Sequence, residues 1–290
     1  MKLEEGVPLA RLTTIGTGGH APAFAEPTTL ADLQWAIAWA VERELPIEVV
    51  GLGSNLLAAD EGVDALVLKL TGELASVRIE GERMHAGGGA TNAVCLHHAR
   101  AAGLGGFEFA CAIPGTAGGG VKMNAGAYGS DWSEILVRAQ VVGVQGDVWM
   151  TPQGLGLAYR SSDLGRGHVV AEVEYRLSPR APDEIKETVR ELVARRKATQ
   201  PTNKRTFGSV FKNPEHELGA GQMLEACGLK GHTIGGAMIS PMHANFIENA
   251  GAATTADALA LMAEARRRAR EQFGVELEYE VQLLGRIAVT

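Results

Sequence analysis

Ile113-Pro114-Gly115-Thr116-Ala117-Gly118-Gly119-Gly120, running on through Val121 into Lys122-Met123-Asn124-Ala125-Gly126-Ala127-Tyr128-Gly129, is the stretch of this 290-residue chain whose reading decides the fold. Glycine permits positive φ and has no Cβ, so such a stretch is poorly equipped to build a core. It is well equipped to bring bare backbone N–H groups against a large anion, a diphosphate above all. A Walker A loop requires GxxxxGK[ST]. Gly115 and Gly120 have that spacing, but Val121 stands before Lys122 and Met123 after it, so neither the lysine nor the magnesium-binding hydroxyl is in place. A second glycine loop, Gly51-Leu52-Gly53-Ser54-Asn55, follows an apolar run, yet position 56 is Leu and no helix opens there, which excludes a dinucleotide fingerprint. No serine sits in a GxSxG elbow. What remains is two glycine loops on separate strand systems, placed to clamp an extended dinucleotide from both sides. The alternative is that each serves only a tight turn.

Composition narrows the class. The chain is 46% hydrophobic and 21% charged, an ordinary globular balance, with glycine the outlier at 37 residues, about twice the usual fraction. A net charge of −7, with Arg266-Arg267-Arg268 the one basic tract and that inside a helical pattern, argues against nucleic acid as a partner. Neither a signal peptide nor an apolar run long enough for a bilayer is visible, so the expectation is a cytoplasmic protein with no membrane partner. Cys95, Cys111 and Cys227 fit neither a disulfide framework nor a CxxC zinc site and are expected to be small buried residues; no metal is expected. Cys111, close before the glycine stretch, raises the alternative of a covalent thioether to a cofactor.

Periodicity predicts helices over 27–42 (with a Thr cap), 91–102, 183–197 and 255–273, the last burying Ala258, Met262, Ala265, Ala269 and Phe273 and ending at Gly274. Strands are predicted at 47–50, 65–70, 135–144, 148–151 and 169–177, with a hairpin of 77–80 and 83–86. The change of composition after Pro179 and Pro182 predicts a domain boundary near residue 180.

The second half carries the chemistry. Arg160, in Tyr159-Arg160-Ser161-Ser162, suits a carboxylate. Ser209, in Gly208-Ser209-Val210-Phe211-Lys212-Asn213-Pro214, is a hydroxyl beside glycine in an apolar setting, and Glu280 lies in the strand-like Leu277-Glu278-Tyr279-Glu280-Val281. Alone, each has a plain alternative: a surface ion pair, a turn residue, a solvated strand position.

Taken together these motifs resemble the UDP-N-acetylenolpyruvoylglucosamine reductases (MurB), over nearly the whole chain. The likeness rests on Val50 to Leu57, Ala112 to Gly119, Met123 to Gly129, Tyr159-Arg160-x-Ser162 and Gly208 to Pro214. It continues through Cys227-Gly228-Leu229-Lys230-Gly231, His243-Ala244-Asn245-Phe246 and Leu277-x-x-Glu280-Val281. The short second half is similar to the compact subgroup, without the extra substrate-domain segment. Leu12-Thr13-Thr14, where the family usually begins with Asn, and Cys111, where a smaller residue is commoner, are departures.

The resemblance implies an α+β fold. A two-lobed FAD-binding domain of the MurB/vanillyl-alcohol-oxidase-like type would occupy 1–180, split near residue 70, with a smaller α+β substrate-binding domain over 181–290. It implies noncovalent FAD, NADPH as reducing co-substrate, and reduction of UDP-N-acetylglucosamine enolpyruvate to UDP-N-acetylmuramate in peptidoglycan precursor synthesis. Ser209 then matches the proton donor, and Arg160 and Glu280 match the groups stabilising the enolate-like intermediate. FAD contacts would come from Val50, Gly51, Leu52, Gly53, Ser54, Asn55 and Leu56. Others would come from Ile113, Pro114, Gly115, Thr116, Gly118 and Gly119, with Asn124, Ala125 and Gly126. Tyr159, Lys212 and Asn213 would contact substrate. The rivals are another FAD-dependent oxidase or dehydrogenase on the same fold, since fold does not fix function, and a non-catalytic nucleotide-sugar binding protein.

Overall fold

Threonine opens three of the longer helices. Thr29 caps Leu30–Val41 and Thr254 caps Thr255–Phe273, each in a capping box closed by an aspartate three residues on; Thr91 caps Asn92–Ala101. These side chains satisfy N–H groups that the first turn leaves without intrahelical acceptors, so a Thr-x-x-Asp before an apolar run marks a helix start. The computed structural model describes residues 2–287, which divide into two units, each assembled from discontinuous segments.

The first unit comprises Met1–Glu5, Ala23–Leu52 and Ala65–Arg195. Its smaller sheet orders Leu3–Glu4, Ala23–Ala25, Leu66–Leu68 and Ile47–Val49, the last three mutually parallel. The helix Leu30–Val41 supplies Leu33, Ala36, Ile37 and Ala40 to the core beside Leu66 and Leu68. The larger sheet is antiparallel, ordered Gly146–Met150, Leu136–Gly143, Val169–Arg176, Arg83–Gly87 and Val77–Glu80. The predicted hairpin of 77–86 is present. The predicted strands at 135–144 and 148–151 run over Leu136–Gly143 and Gly146–Met150 and pair as a second hairpin, Gly143 opposite Gly146.

Under the larger sheet lies an aromatic cluster of Phe107, Phe109, Trp132 and Tyr175, its rings edge to face or tilted at 5.3–6.4 Å. Trp132 Nε1 donates to the Tyr175 hydroxyl at 2.8 Å, which satisfies the one polar handle each ring brings inside. The glycine stretch departs from its reading here. Ala117–Met123 is a helix, capped by Thr116, and its Ala117 and Val121 belong to this core. Glycine disfavours helix, but a Cβ on Gly120 would lie 2.3 Å from the Trp132 indole, so the small residue is what lets this turn seat on the aromatic floor.

The second unit comprises Gly6–Pro22, Gly53–Asp64 and Arg196–Thr290. An antiparallel sheet, ordered Thr206–Ser209, Phe246–Asn249, Ala237–Ile239 and Thr233–Ile234, shares a core with Ala220–Ala226 and Thr255–Phe273. The long helix buries Thr255, Ala258, Leu261, Met262, Ala265 and Ala269, adding Thr255 and Leu261 to the expected face, while the expected Phe273 is only partly buried. Asp60 also caps this helix, accepting from the N–H groups of Thr255 and Ala256, each at 2.9 Å.

Two readings are corrected. Residues 277–281 are not a regular strand: Leu277 and Val281 are buried, and only Tyr279 pairs, opposite Phe211. The strand is Gln282–Leu284, parallel to Leu56–Ala58. The boundary lies at Arg195/Arg196, inside the helix Pro182–Thr199, not near residue 180; Pro182 starts that helix, and Pro179 sits in the short strand Ser178–Pro179 paired with Leu104–Gly105.

Candidate functional site

In the first unit the two glycine loops approach each other. A Cβ on Gly51 would stand 2.7 Å from Thr116 Oγ1, so this crossing admits only glycine. Val50 N–H donates to Leu68 O and ends the strand pairing; Leu52 beyond it is exposed. On the other loop Asn92 N–H donates to Gly115 O, and Ala117 and Gly118 N–H donate to Ala90 and Gly88 O. Gly119 N–H donates to Thr116 Oγ1. Among the described residues, the N–H groups of Gly51, Leu52, Gly115 and Thr116 have no protein acceptor.

A Cβ on Gly115 would meet only Asn92 Nδ2 at 3.6 Å, and one on Gly119 only Thr116 Oγ1 at 3.5 Å. Their bareness therefore opens space rather than relieving a clash. Asn92 Oδ1, buried at the same loop while its Nδ2 donates to Ile113 O, has no partner. Bare N–H groups and open space fit a bound dinucleotide diphosphate, while the orphaned Asn92 Oδ1 calls for a donor such as a hydroxyl of the same dinucleotide. Pro114 is exposed beside them. Sequence reading passed over Gly87, Gly88 and Gly89; this loop docks on the backbone of Gly88 and Ala90, and a Cβ on Gly88 would fall 1.8 Å from Val170 O. Three glycines between a strand and a capped helix were the available signal.

Lys122 confirms in structure why the Walker reading fails. Its ammonium donates to Leu164 O, and burial lowers its pKa, opposed by nearby Glu48. Glu48 is in turn raised by burial, against the pull of Arg166 and Lys122. Burial pushes the Cys95 thiol up to about 12 and Cys227 also upward; Cys111 is partly exposed.

The Tyr159-Arg160 turn is strapped to the end of the glycine helix. Asn124, left-handed at φ +37°, donates from Nδ2 to Ala158 O at 3.1 Å and accepts at Oδ1 from Ser133 N–H at 3.0 Å. Ser162 Oγ donates to Lys122 O at 2.7 Å, and Arg160 Nη2 donates to Gly126 O at 2.7 Å. Ala125 N–H donates to Gly120 O, closing the helix. Ala158 and Ser161 exchange backbone bonds across the turn, with Arg160 at φ +53° and its guanidinium 4.9 Å from the ring of Tyr159, itself 50% exposed. Asn124 thus spends its side chain on protein, and Arg160 is oriented by the same segment that carries the loop.

In the second unit Ser209 follows a bulge. Thr206 pairs with Glu248 and Ser209 with Phe246, one register step apart, and Gly208 takes φ +80°. Such a bulge re-aims the next side chain, and the Ser209 hydroxyl has no hydrogen-bond partner among the described residues. Beyond it Val210 O accepts from Glu280 N–H at 2.9 Å, and Lys212 N–H donates to Glu278 O. Asn55 Nδ2 donates to Glu280 O at 3.1 Å, while Asn55 O accepts from Gln282 N–H. Gly53 O accepts from Thr14 N–H, Ser54 O would lie 3.0 Å from a Cβ on Gly208, and Leu56 begins the strand paired with Gln282. Ser209 and Glu280 are therefore brought onto one hydrogen-bonded assembly that includes Asn55. Lys212 Nζ is 3.5 Å from Glu278, and Asn213 Oδ1 accepts from Ala220 N–H, capping a helix.

Family models match the chain over most of its length: an FAD binding domain at residues 21–151, and UDP-N-acetylenolpyruvoylglucosamine reductase, C-terminal domain, at residues 200–284. UDP-N-acetylenolpyruvoylglucosamine reductase 2 of Symbiobacterium thermophilum is 42% identical, covering 98% of this chain and 92% of that one. The Bacillus velezensis reductase is 39% identical over 98% of this chain and 94% of its own. The crystal structure of the Thermus caldophilus reductase superposes with a TM-score of 0.86 at 36% identity, covering 98% of this chain and 99% of that one.

Proposed function

The chain belongs to the UDP-N-acetylenolpyruvoylglucosamine reductase family, an oxidoreductase with FAD as cofactor, and on that premise we propose that it reduces UDP-N-acetylglucosamine enolpyruvate to UDP-N-acetylmuramate with NADPH, in the cytoplasm, for peptidoglycan synthesis. The observation that carries the reading is the joining of Ser209 and Glu280 through the Val210 carbonyl.

FAD would supply the redox chemistry that links the nicotinamide to the enolpyruvyl double bond. The N–H groups of Gly51, Leu52, Gly115 and Thr116 would hold its diphosphate, and Asn92 Oδ1 would accept from a hydroxyl of the cofactor's sugar or ribityl chain. Reduction pushes charge into the substrate carboxylate. Arg160, pre-oriented by Gly126 O, meets that charge with paired N–H donors, and Glu280 stabilises it only by offering a proton rather than a carboxylate oxygen. Ser209 Oγ gives its proton to the carbon left carbanionic; a hydroxyl suffices because the acceptor is so strong a base. Tyr159, Lys212 and the Nδ2 side of Asn213 contact the nucleotide sugar. The first unit thus supplies the cofactor loops together with Tyr159 and Arg160, and the second supplies Ser209, Lys212, Asn213 and Glu280.

Turnover in D2O with ordinary NADPH tests this. The expected product is the muramate carrying one solvent-derived deuterium at the carbon that Ser209 protonates. Recovery of unreacted enolpyruvyl substrate, with NADPH consumed or not, contradicts it.

A further inference from the structure

Phe211 is 1% exposed, and neither its N–H nor its C=O is bonded by a neighbouring strand backbone: both are taken by one side chain. Asn245, itself 4% exposed, accepts from Phe211 N–H at Oδ1 (2.9 Å) and donates from Nδ2 to Phe211 O (2.8 Å). Its own carbonyl accepts from Val210 N–H at 2.9 Å. The last backbone pair of this ladder is Ser209 with Phe246, so Asn245 continues the ladder past the bulge with a side chain in the part of a peptide group. On the far edge the same segment bonds Glu280 and Glu278. Asn245 is fixed in its turn, since its N–H donates to His243 Nδ1 at 3.2 Å.

Resting on the function proposed above, we propose that Asn245 is a positioning residue for the protonation step: it pins residues 210–211 so that Ser209 and Glu280 keep their register. The requirement is for an amide. It must accept from one backbone group and donate to the next, and only a primary amide does both at this length. An aspartate has the shape but sets a carboxylate oxygen against Phe211 O. An error of about 1 Å in a reacting group costs on the order of a hundredfold.

The test is stopped-flow kinetics on the FAD-loaded protein with Asn245→Asp, Asn245→Ser, Ser209→Ala and the Asn245→Asp/Ser209→Ala double variant. Asn245→Asp is expected to leave flavin bleaching by NADPH within about twofold of wild type and to slow reoxidation by enolpyruvyl-UDP-GlcNAc about a hundredfold. Asn245→Ser is neutral and leaves room for a bridging water, so it is expected to fold and to lose less, in the same half-reaction. In the Ser209→Ala background, Asn245→Asp is expected to add little, because residues acting through one another are non-additive. Equal slowing of both half-reactions, or full additivity with Ser209→Ala, overturns the proposal and leaves the assigned function standing. Wild-type flavin that NADPH bleaches but the substrate does not reoxidise overturns the function itself and the inference with it.

Discussion

Gly208, at φ +80°, supplies the extra residue that turns Ser209 out of the regular strand alternation, and Ser209 is left with no hydrogen-bond partner among the described residues. An unengaged hydroxyl on a rigid strand end is available to a ligand at little reorganisation cost. Ser209→Ala is expected to leave reduction of the flavin by NADPH unchanged and to slow reoxidation by the substrate at least about a hundredfold, the range for loss of acid catalysis. Rapid-mixing absorbance separates the two phases, and equal slowing of both would remove Ser209 from its role. Ser209, Arg160 and Glu280 are proposed from their motifs. Asn245 stood in the His243-Ala244-Asn245-Phe246 motif with no role assigned, because its part lies in two backbone groups of the distant Phe211, which no local pattern displays.

The helices legible in sequence are those whose ends carry their own chemistry, such as the Thr29/Asp32 and Thr254/Asp257 boxes. The helix Ala117–Met123 was hidden because its glycines vote against it locally and Trp132 decides the matter from a distance. Asp60 is a third kind of case, a cap delivered from another segment. Asp60→Ala is expected to destabilise the second unit by about 1 kcal/mol, lowering Tm by about 2–4 °C, with FAD content unaltered. A calorimetric Tm equal to wild type would show that Thr254 and Asp257 suffice alone.

Across the whole molecule, the chain visits the second unit early, in Gly6–Pro22 and Gly53–Asp64, before completing it after Arg195. A compositional boundary detects only the last passage; the parallel pairing of Leu56–Ala58 with Gln282–Leu284 joins segments too distant to announce each other. His243 gives this unit a pH dependence. Burial, and then Lys230, hold its pKa below the ordinary 6.5, against Glu225, while Nδ1 accepts from Asn245 N–H. Its neutral form belongs to the folded state, so the unfolded chain binds the proton more readily. That contribution is present above 6.5 and is lost as pH falls through the lower folded value. Tm is therefore expected to drop on acidification from about pH 7 to pH 5, and His243→Gln to flatten the drop; an unchanged slope contradicts this.

The central claim, that one chain holds FAD and couples NADPH to an enolpyruvyl sugar nucleotide, meets its most direct test in an anaerobic titration of the purified protein followed in the visible spectrum. The account predicts a yellow protein with noncovalent flavin, bleached by NADPH and restored by adding enolpyruvyl-UDP-GlcNAc without oxygen. A protein that takes up no FAD, or whose NADPH-reduced flavin the substrate leaves bleached, contradicts it.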